Sequence, residues 1–139
     1  MAMKKQIVLS CIAFGCCIVL GCKDTNNPLL DNSPSNVVFP TSGVSYGRHV
    51  QPLFNQACAQ VGCHSDDAGN ASRLRLTSYA NTTDPSLLIV VPRHPENSRL
   101  VWSIEGSNGS TRMPPSGYPL NQNQIDGIRT WITEGALNN

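Results

Sequence analysis

Apolar residues repeat at helical spacing in the segment that leads up to Cys58. The repeating positions are Tyr46, Val50, Leu53, Phe54 and Ala57. This spacing gathers them on one face of a helix. We therefore predict a first helix that ends at Cys58, with Pro52 in its first turn, where a missing N–H is tolerated.

The last helix is indicated by its cap as well as by its apolar pattern. Asn121 and Gln124 have the spacing of a capping box, in which each side chain accepts a hydrogen bond from the other residue's backbone N–H. The apolar face that follows consists of Ile125, Ile128, Trp131 and Ile132. An earlier helix is predicted between Pro95, which suits a first helical position, and Gly106, which suits a helix end.

The chain between the first helix and Pro95 is mostly polar and irregular. Leu74 and Leu76 alternate with arginines there, so both leucines can face a core, and a turn of helix is expected near Tyr79. The predicted elements are thus helices joined by long loops. This indicates an all-α fold of about three to four short helices.

The N-terminus has the pattern of an export signal. Lys4 and Lys5 precede an uncharged apolar run from Ile7 to Leu20 that is too short to span a bilayer. The run leads into Val-Leu-Gly-Cys22, which resembles the lipobox of bacterial lipoproteins. We predict a lipoprotein signal peptide over residues 1–21 and lipidation of Cys22, which would anchor the chain to a membrane. An uncleaved anchor and an ordinary signal peptide are the alternatives.

The mature chain is expected to begin with a tether. Residues 22–42 are rich in Asn, Asp, Ser, Thr and Pro, which predicts a flexible polar segment, and residues 43–139 would form the folded domain. Lys23 stands where an inner-membrane retention signal would have aspartate, which favours the outer membrane of a bacterial cell envelope. Without the signal peptide, eight basic residues face nine acidic ones, so no basic patch for nucleic acid is expected.

Two thiols and an imidazole lie together in the segment Cys58-Ala59-Gln60-Val61-Gly62-Cys63-His64. Covalent haem attachment needs two thiols that reach the vinyl groups of one macrocycle, with a histidine directly after the second thiol to hold the iron. The common motif is C-x-x-C-H, whereas four residues separate the cysteines here. The additional residues must bulge outward, and Gly62 makes such a bulge sterically easier.

Three other chemistries fit the same residues less well. A disulfide between Cys58 and Cys63 suits an exported protein but leaves the adjacent His64 without a role. A structural zinc site needs a full tetrahedral set of ligands, and the other histidines, at positions 49 and 94, are scattered along the chain. A redox-active dithiol prefers the tighter C-x-x-C spacing.

Met113 is the only methionine that remains after removal of the signal peptide. A thioether sulfur is a suitable axial ligand for haem iron, and His/Met ligation raises the reduction potential. Pro114 and Pro115 have a fixed φ and no N–H, so they can stiffen the loop that presents the sulfur. A methionine that fills a gap in the core is the alternative.

The order of motifs along the chain is more specific than any single one. The motifs are Val50-Gln51-Pro52-Leu53-Phe54, the C-x-x-x-x-C-H segment, Leu74-Arg75-Leu76-Thr77-Ser78-Tyr79-Ala80-Asn81, Val91-Pro92 with Pro95-Glu96-Asn97-Ser98, Met113-Pro114-Pro115 and Trp131-Ile132-Thr133-Glu134-Gly135-Ala136. This order resembles the planctomycete-type cytochrome c domain over residues 45–137. The resemblance implies a small domain of short helices and long loops wrapped around one covalent haem c.

The resemblance also implies a role for each site residue. Cys58 and Cys63 would form the thioethers, His64 would be the proximal iron ligand and Met113 the distal one. Arg93-His94 stands where the family tends to have Gly-Asp, so His94 is an alternative distal ligand. His49, near the edge of the domain, is expected to lie on the surface.

The expected function is electron transfer between redox partner proteins, without a small-molecule substrate. With both axial positions of the iron filled, no coordination site is open, and no other catalytic cluster is visible in the sequence. One alternative is a haem-based small-ligand sensor or minor peroxidase, in which Met113 leaves the iron. Another is a haem-free, disulfide-closed surface lipoprotein.

Overall fold

The regular elements of this computed structural model are all helical over the described residues, 35–67, 73–115 and 119–139. They are a π-helical turn Tyr46–Val50, α1 Gln51–Ala57, α2 Tyr79–Thr82, a 3-10 turn Pro95–Asn97, α3 Arg99–Glu105 and α4 Gln122–Thr133. The all-α fold expected from the sequence is confirmed. The predicted signal peptide, Cys22 and the first part of the predicted tether lie outside the described residues.

None of the helices in these ranges is long and apolar enough to cross a membrane.

The first helix ends where the sequence predicts, but it begins with a π-helical turn. Ser45 precedes this turn, and its Oγ accepts a hydrogen bond from the backbone N–H of Arg48 at 3.3 Å. The turn runs directly into α1, which carries Pro52 near its start. The Cys58 N–H donates to the Phe54 carbonyl at 2.8 Å, so the last helical hydrogen bond leads the chain straight into the cysteine segment.

The helix predicted to start at Pro95 is divided in two. Pro95 opens the 3-10 turn, and Ser98, with an extended backbone, separates that turn from α3. The Ser98 side chain is buried, and its Oγ donates to the His94 carbonyl at 3.0 Å. Gly106 ends α3 with a φ of +66°, as expected for a glycine at a helix end.

The last helix starts with the predicted capping box. The Gln124 N–H donates to Asn121 Oδ1 at 2.9 Å, and the Asn121 N–H donates to Gln124 Oε1 at 3.1 Å. Trp131 and Ile132 are fully buried in one core that also contains the apolar residues of α1. The Trp131 ring lies 5.4 Å from the Tyr46 ring, so α4 packs against the π-helical turn at the start of the domain.

Residues 35–40 form a strap that packs against α4, where the sequence predicted a flexible tether. The Phe39 side chain is only 3% exposed, and the Phe39 N–H donates to Asn123 Oδ1 at 2.8 Å. The buried Gln124 side chain donates through Nε2 to the Ser35 carbonyl at 2.9 Å. Within the described residues, the folded domain therefore includes the segment from Ser35, not only residues from 43 onward, because burial of one aromatic ring and these hydrogen bonds offset the entropy of ordering a polar segment.

Gly127 lets the strap approach α4 closely. A Cβ at this position would overlap the Phe39 side chain. A glycine inside a helix destabilises it by about 0.5–1 kcal/mol relative to alanine. Close contact with Phe39 therefore explains why glycine stands at this helical position.

Replacing Gly127 with alanine is expected to destabilise the domain by about 1–3 kcal/mol, because the added methyl overpacks the Phe39 contact. Denaturant unfolding of the mature protein measures this change. Gly47→Ala is the control, since a Cβ there would meet only the Asn139 carbonyl oxygen, at 3.4 Å. Equal stability of the two variants would show that packing of the strap against α4 does not require a glycine at position 127.

Candidate functional site

The predicted chemistry lies around one cavity of about 560 Å³. The cavity size is within the range of about 300–1,000 Å³ that is typical of sites for small molecules and cofactors. Its lining residues come from the end of α1, the cysteine segment, the loops on both sides of α2, the helix α3 and the Met113 loop. They are Ala57, Cys58, Gly62, Cys63, His64, Arg73, Leu74, Leu76, Leu87, Ile89, Arg99, Leu100, Ser103, Ile104, Met113, Pro114 and Pro115. The structure thus brings Cys58, Cys63, His64 and Met113 to the same cavity.

The cysteine segment bulges outward as its spacing predicts. Gln60, Val61 and Gly62 are exposed, and Gly62 has a φ of +82°. The Cys63 N–H donates to the Gln60 carbonyl at 2.9 Å, which closes a tight turn. The two additional residues of the motif are accommodated in this turn, and both cysteines still line the cavity.

His64 is held by three hydrogen bonds on its backbone and ring. Its N–H donates to the Cys58 carbonyl at 3.2 Å, and its carbonyl accepts from the Leu76 N–H at 2.9 Å. Its ring Nδ1 lies 3.2 Å from the Leu74 carbonyl oxygen. Because a carbonyl oxygen only accepts, the proton must be on Nδ1, and the lone pair of a neutral imidazole is then on Nε2. This is the tautomer that a histidine needs to bind a metal through Nε2.

The segment that carries Leu74 and Leu76 is itself tied to α1. Gln51 Nε2 donates to the Leu76 carbonyl at 2.9 Å, and Gln51 Oε1 accepts from the Tyr46 hydroxyl at 2.6 Å. Leu76 is buried and Leu74 lines the cavity, as their alternation with arginines predicts. The first helix therefore positions His64 twice, once through Cys58 and once through this segment.

The two cysteines are free, and their environments differ. Cys58 is half-buried, while Cys63 is exposed. Desolvation by burial, reinforced by Cys63, raises the pKa of the Cys58 thiol to about 12. Cys58 is therefore a neutral thiol near pH 7, which disfavours a redox-active dithiol because that chemistry needs a lowered thiol pKa.

The zinc alternative finds no support in the geometry either. In residues 35–67, 73–115 and 119–139, no group of three or more His, Cys, Asp or Glu side chains is arranged to hold a metal ion. His64 is the only histidine among the residues that line the cavity.

Met113 is presented by the loop that follows α3. Its N–H donates to the Ser103 carbonyl at 2.8 Å, which ties the loop back to the helix. The Met113–Pro114 peptide bond is cis. Met113, Pro114 and Pro115 all line the cavity, so the methionine is not a filler of the main core.

The other two histidines lie away from the cavity. His94 is exposed, and its Nδ1 is 3.0 Å from Glu96 Oε1. It stands before the 3-10 turn without capping it through its side chain. His49 is half-buried and does not line the cavity; its Nδ1 accepts a hydrogen bond from the Ser45 N–H at 3.0 Å, and its ring packs near Phe39.

Sequence reasoning missed one wall of the cavity. Leu87 and Ile89 line it, while Leu88 between them is 62% exposed and has a φ of +50°. The apolar run over residues 87–91 is the signal that could have indicated this wall. Arg73 and Arg99 also line the cavity, and no motif in the sequence marked them.

These residues fit a covalently bound haem. The cavity has mostly apolar walls and two free thiols, and the tautomer of His64 is set by a backbone carbonyl. A thioether sulfur from a separate loop completes the donor set that haem iron accepts.

Comparison with known proteins bears on the same residues. A family model described as Planctomycete cytochrome C matches residues 61–117, which include Cys63, His64 and Met113 and leave Cys58 just outside. Neither a curated protein nor a solved structure matches the chain. A domain of this type indicates haem-based electron transfer. Over residues 61–117 the chain is thus similar to planctomycete cytochrome c, which supports a cytochrome c domain of that type.

Proposed function

We propose that the mature protein is a membrane-anchored cytochrome with one covalent haem c that passes single electrons between redox partner proteins. The observation that supports this most directly is the convergence of Cys58, Cys63, His64 and Met113, from two distant segments, on one cavity of about 560 Å³. The family match indicates an electron carrier rather than an enzyme.

The two thiols would hold the haem covalently. The sulfur atoms of Cys58 and Cys63 would each form a bond to a vinyl carbon, and each thiol hydrogen would pass to the neighbouring carbon. The outward turn at Gly62 keeps both sulfur atoms at the cavity despite the four intervening residues. The raised pKa of Cys58 keeps its thiol protonated before attachment.

His64 and Met113 would hold the haem iron. His64 would bind iron through Nε2, because its Nδ1–H is donated to the Leu74 carbonyl. Met113 would bind through its sulfur, which raises the reduction potential. When bound, haem iron exchanges one electron by alternating between its ferric and ferrous states. With both ligands in place, no coordination position is left for a substrate, so we do not expect an enzyme.

Two exposed apolar side chains next in sequence to the cavity lining are available for contact with a redox partner. Val61 is 83% exposed and Leu88 is 62% exposed, and each is adjacent in sequence to a residue that lines the cavity. Leu88 adopts a positive φ, which is unfavourable for a residue with a Cβ and turns the backbone so that its neighbours face inward.

The membrane anchor in this proposal rests on the sequence. Residues 1–21 would be removed as a signal peptide, and lipid on Cys22 would hold the chain at the cell envelope. Lys23 stands in place of an inner-membrane retention aspartate, which favours the outer membrane. The tether between Cys22 and the strap would then set the distance between the haem domain and the membrane.

Cysteine substitutions test covalent attachment. In protein produced with cytochrome c maturation machinery, we expect Cys63→Ser to retain one thioether and a shifted reduced α-band. The double variant, which carries both Cys58→Ser and Cys63→Ser, should lose all haem on denaturation. Val61→Ser is the matched control, because it adds a hydroxyl to the same turn without removing a thiol. Retention of haem by the double variant through denaturation would contradict the assignment.

Substitution of Met113 tests the distal ligand. We expect Met113→Ala to remove the sulfur-to-iron absorption band of the oxidised protein, to lower the reduction potential and to let the reduced protein bind carbon monoxide. His94→Ala is the control and should leave all three properties unchanged, because His94 lies outside the cavity. Absence of the band from the wild-type protein, or its persistence in Met113→Ala, would assign the iron to another ligand.

Substitution of Cys22 tests the anchor. We expect Cys22→Ser to carry no acyl chain and to keep residues 1–21, because the lipoprotein peptidase cuts only before a lipidated cysteine; the intact mass measures both changes. Cys17→Ser, a cysteine within the predicted signal peptide, should be acylated and cleaved like the wild type. Cleavage and acylation of the Cys22→Ser protein would contradict lipidation at Cys22.

A further inference from the structure

Two arginines stand at the mouth of the cavity. Arg73 and Arg99 line it, and both residues are exposed to solvent. Neither side chain forms a hydrogen bond or an ion pair with the described part of the chain. By contrast, Arg129 is paired with Glu105 at 2.7 Å.

The cavity has no negative charge of its own to balance these arginines. None of its described lining residues is an aspartate or a glutamate. Among the acids of nearby segments, Asp66 accepts from the Thr77 hydroxyl at 2.8 Å and Glu96 lies 3.0 Å from His94. Neither these two nor the exposed Asp67 lines the cavity. A cavity with two cations, mostly apolar walls and no counter-charge fits a ligand that is largely apolar and carries acidic groups at its edge.

We propose that Arg73 and Arg99 bind the two propionate carboxylates of the haem and thereby help to set its reduction potential. This rests on the proposed function. The planar guanidinium group can donate two parallel hydrogen bonds to a carboxylate, which makes arginine well suited to this role. Both arginines come from segments outside the cysteine turn, which would hold the vinyl edge of the macrocycle.

The test compares reduction potentials of the matured protein and its variants. Substitution of both Arg73 and Arg99 with glutamine should lower the potential, because the loss of two cations favours the oxidised, more positive state of the iron. We expect the ratio of oxidised to reduced protein at a fixed potential to rise about tenfold, which corresponds to about 59 mV for one electron. Arg48→Gln, an exposed arginine that does not line the cavity, should leave the potential unchanged.

A second readout separates carboxylate binding from a general effect of charge. The wild-type potential should be constant between about pH 5 and pH 8, because paired carboxylates stay ionised. In the double glutamine variant the propionate pKa should rise, so the potential should fall as the pH increases through the acid half of this range. Of the other titratable groups that face the cavity, the two thiols would be thioethers and His64 would be an iron ligand, so a new ionisation belongs to the haem.

Replacing both arginines with lysine should restore most of the wild-type potential and its constancy with pH, because the charges are kept. The inference is overturned if the double glutamine variant holds its haem and its sulfur-to-iron band but shows a wild-type potential with no dependence on pH. Absence of covalent haem from the wild-type protein would instead refute the proposed function together with this inference.

Discussion

The hydrogen bond from His64 Nδ1 to the Leu74 carbonyl is the interaction on which the site depends. It sets the tautomer of the ring and leaves the Nε2 lone pair available. The same histidine is fixed through its backbone to Cys58 and to Leu76. Loss of this arrangement would free the ring to rotate even if both cysteines stayed in place. The geometry of the site therefore comes from backbone pairing between the cysteine segment and the loop before α2.

The rest of the fold supports that pairing. Tyr46 and Gln51 connect the start of the domain to the Leu76 carbonyl, and Trp131 of α4 packs its ring beside Tyr46. The strap adds Phe39 to the same core. A domain of this size has little apolar surface with which to build a core. Burial of a haem against the walls of the cavity would add apolar contact in the region where side chains alone leave a gap of about 560 Å³.

The sequence predicted those features that have a local physical cause. The capping box of α4, the end of α1 at Cys58 and the outward turn at Gly62 all follow from neighbouring residues, and all are present. The strap was missed because its burial depends on Gly127, a residue far along the chain whose missing side chain makes room for Phe39.

The candidate site likewise contains some residues that local motifs identify and others that only the fold brings together. The cysteine motif identified Cys58, Cys63 and His64, and the Met-Pro-Pro segment identified Met113. All four line one cavity. Arg73, Arg99 and the wall at Leu87 and Ile89 come together only through the path of the loops, which periodicity does not describe. Of the two candidate distal ligands, Met113 lines the cavity, whereas His94 lies outside it and pairs with Glu96. The structure therefore favours Met113.

The most direct measurement is the intact mass and absorption spectrum of the matured protein after denaturation and solvent extraction. We predict a mass gain equal to one haem that extraction does not remove, together with a reduced α-band and a haem-bearing peptide that spans Cys58 to His64. A colourless protein of unmodified mass, or haem that extracts freely into the solvent, would contradict a covalent cytochrome.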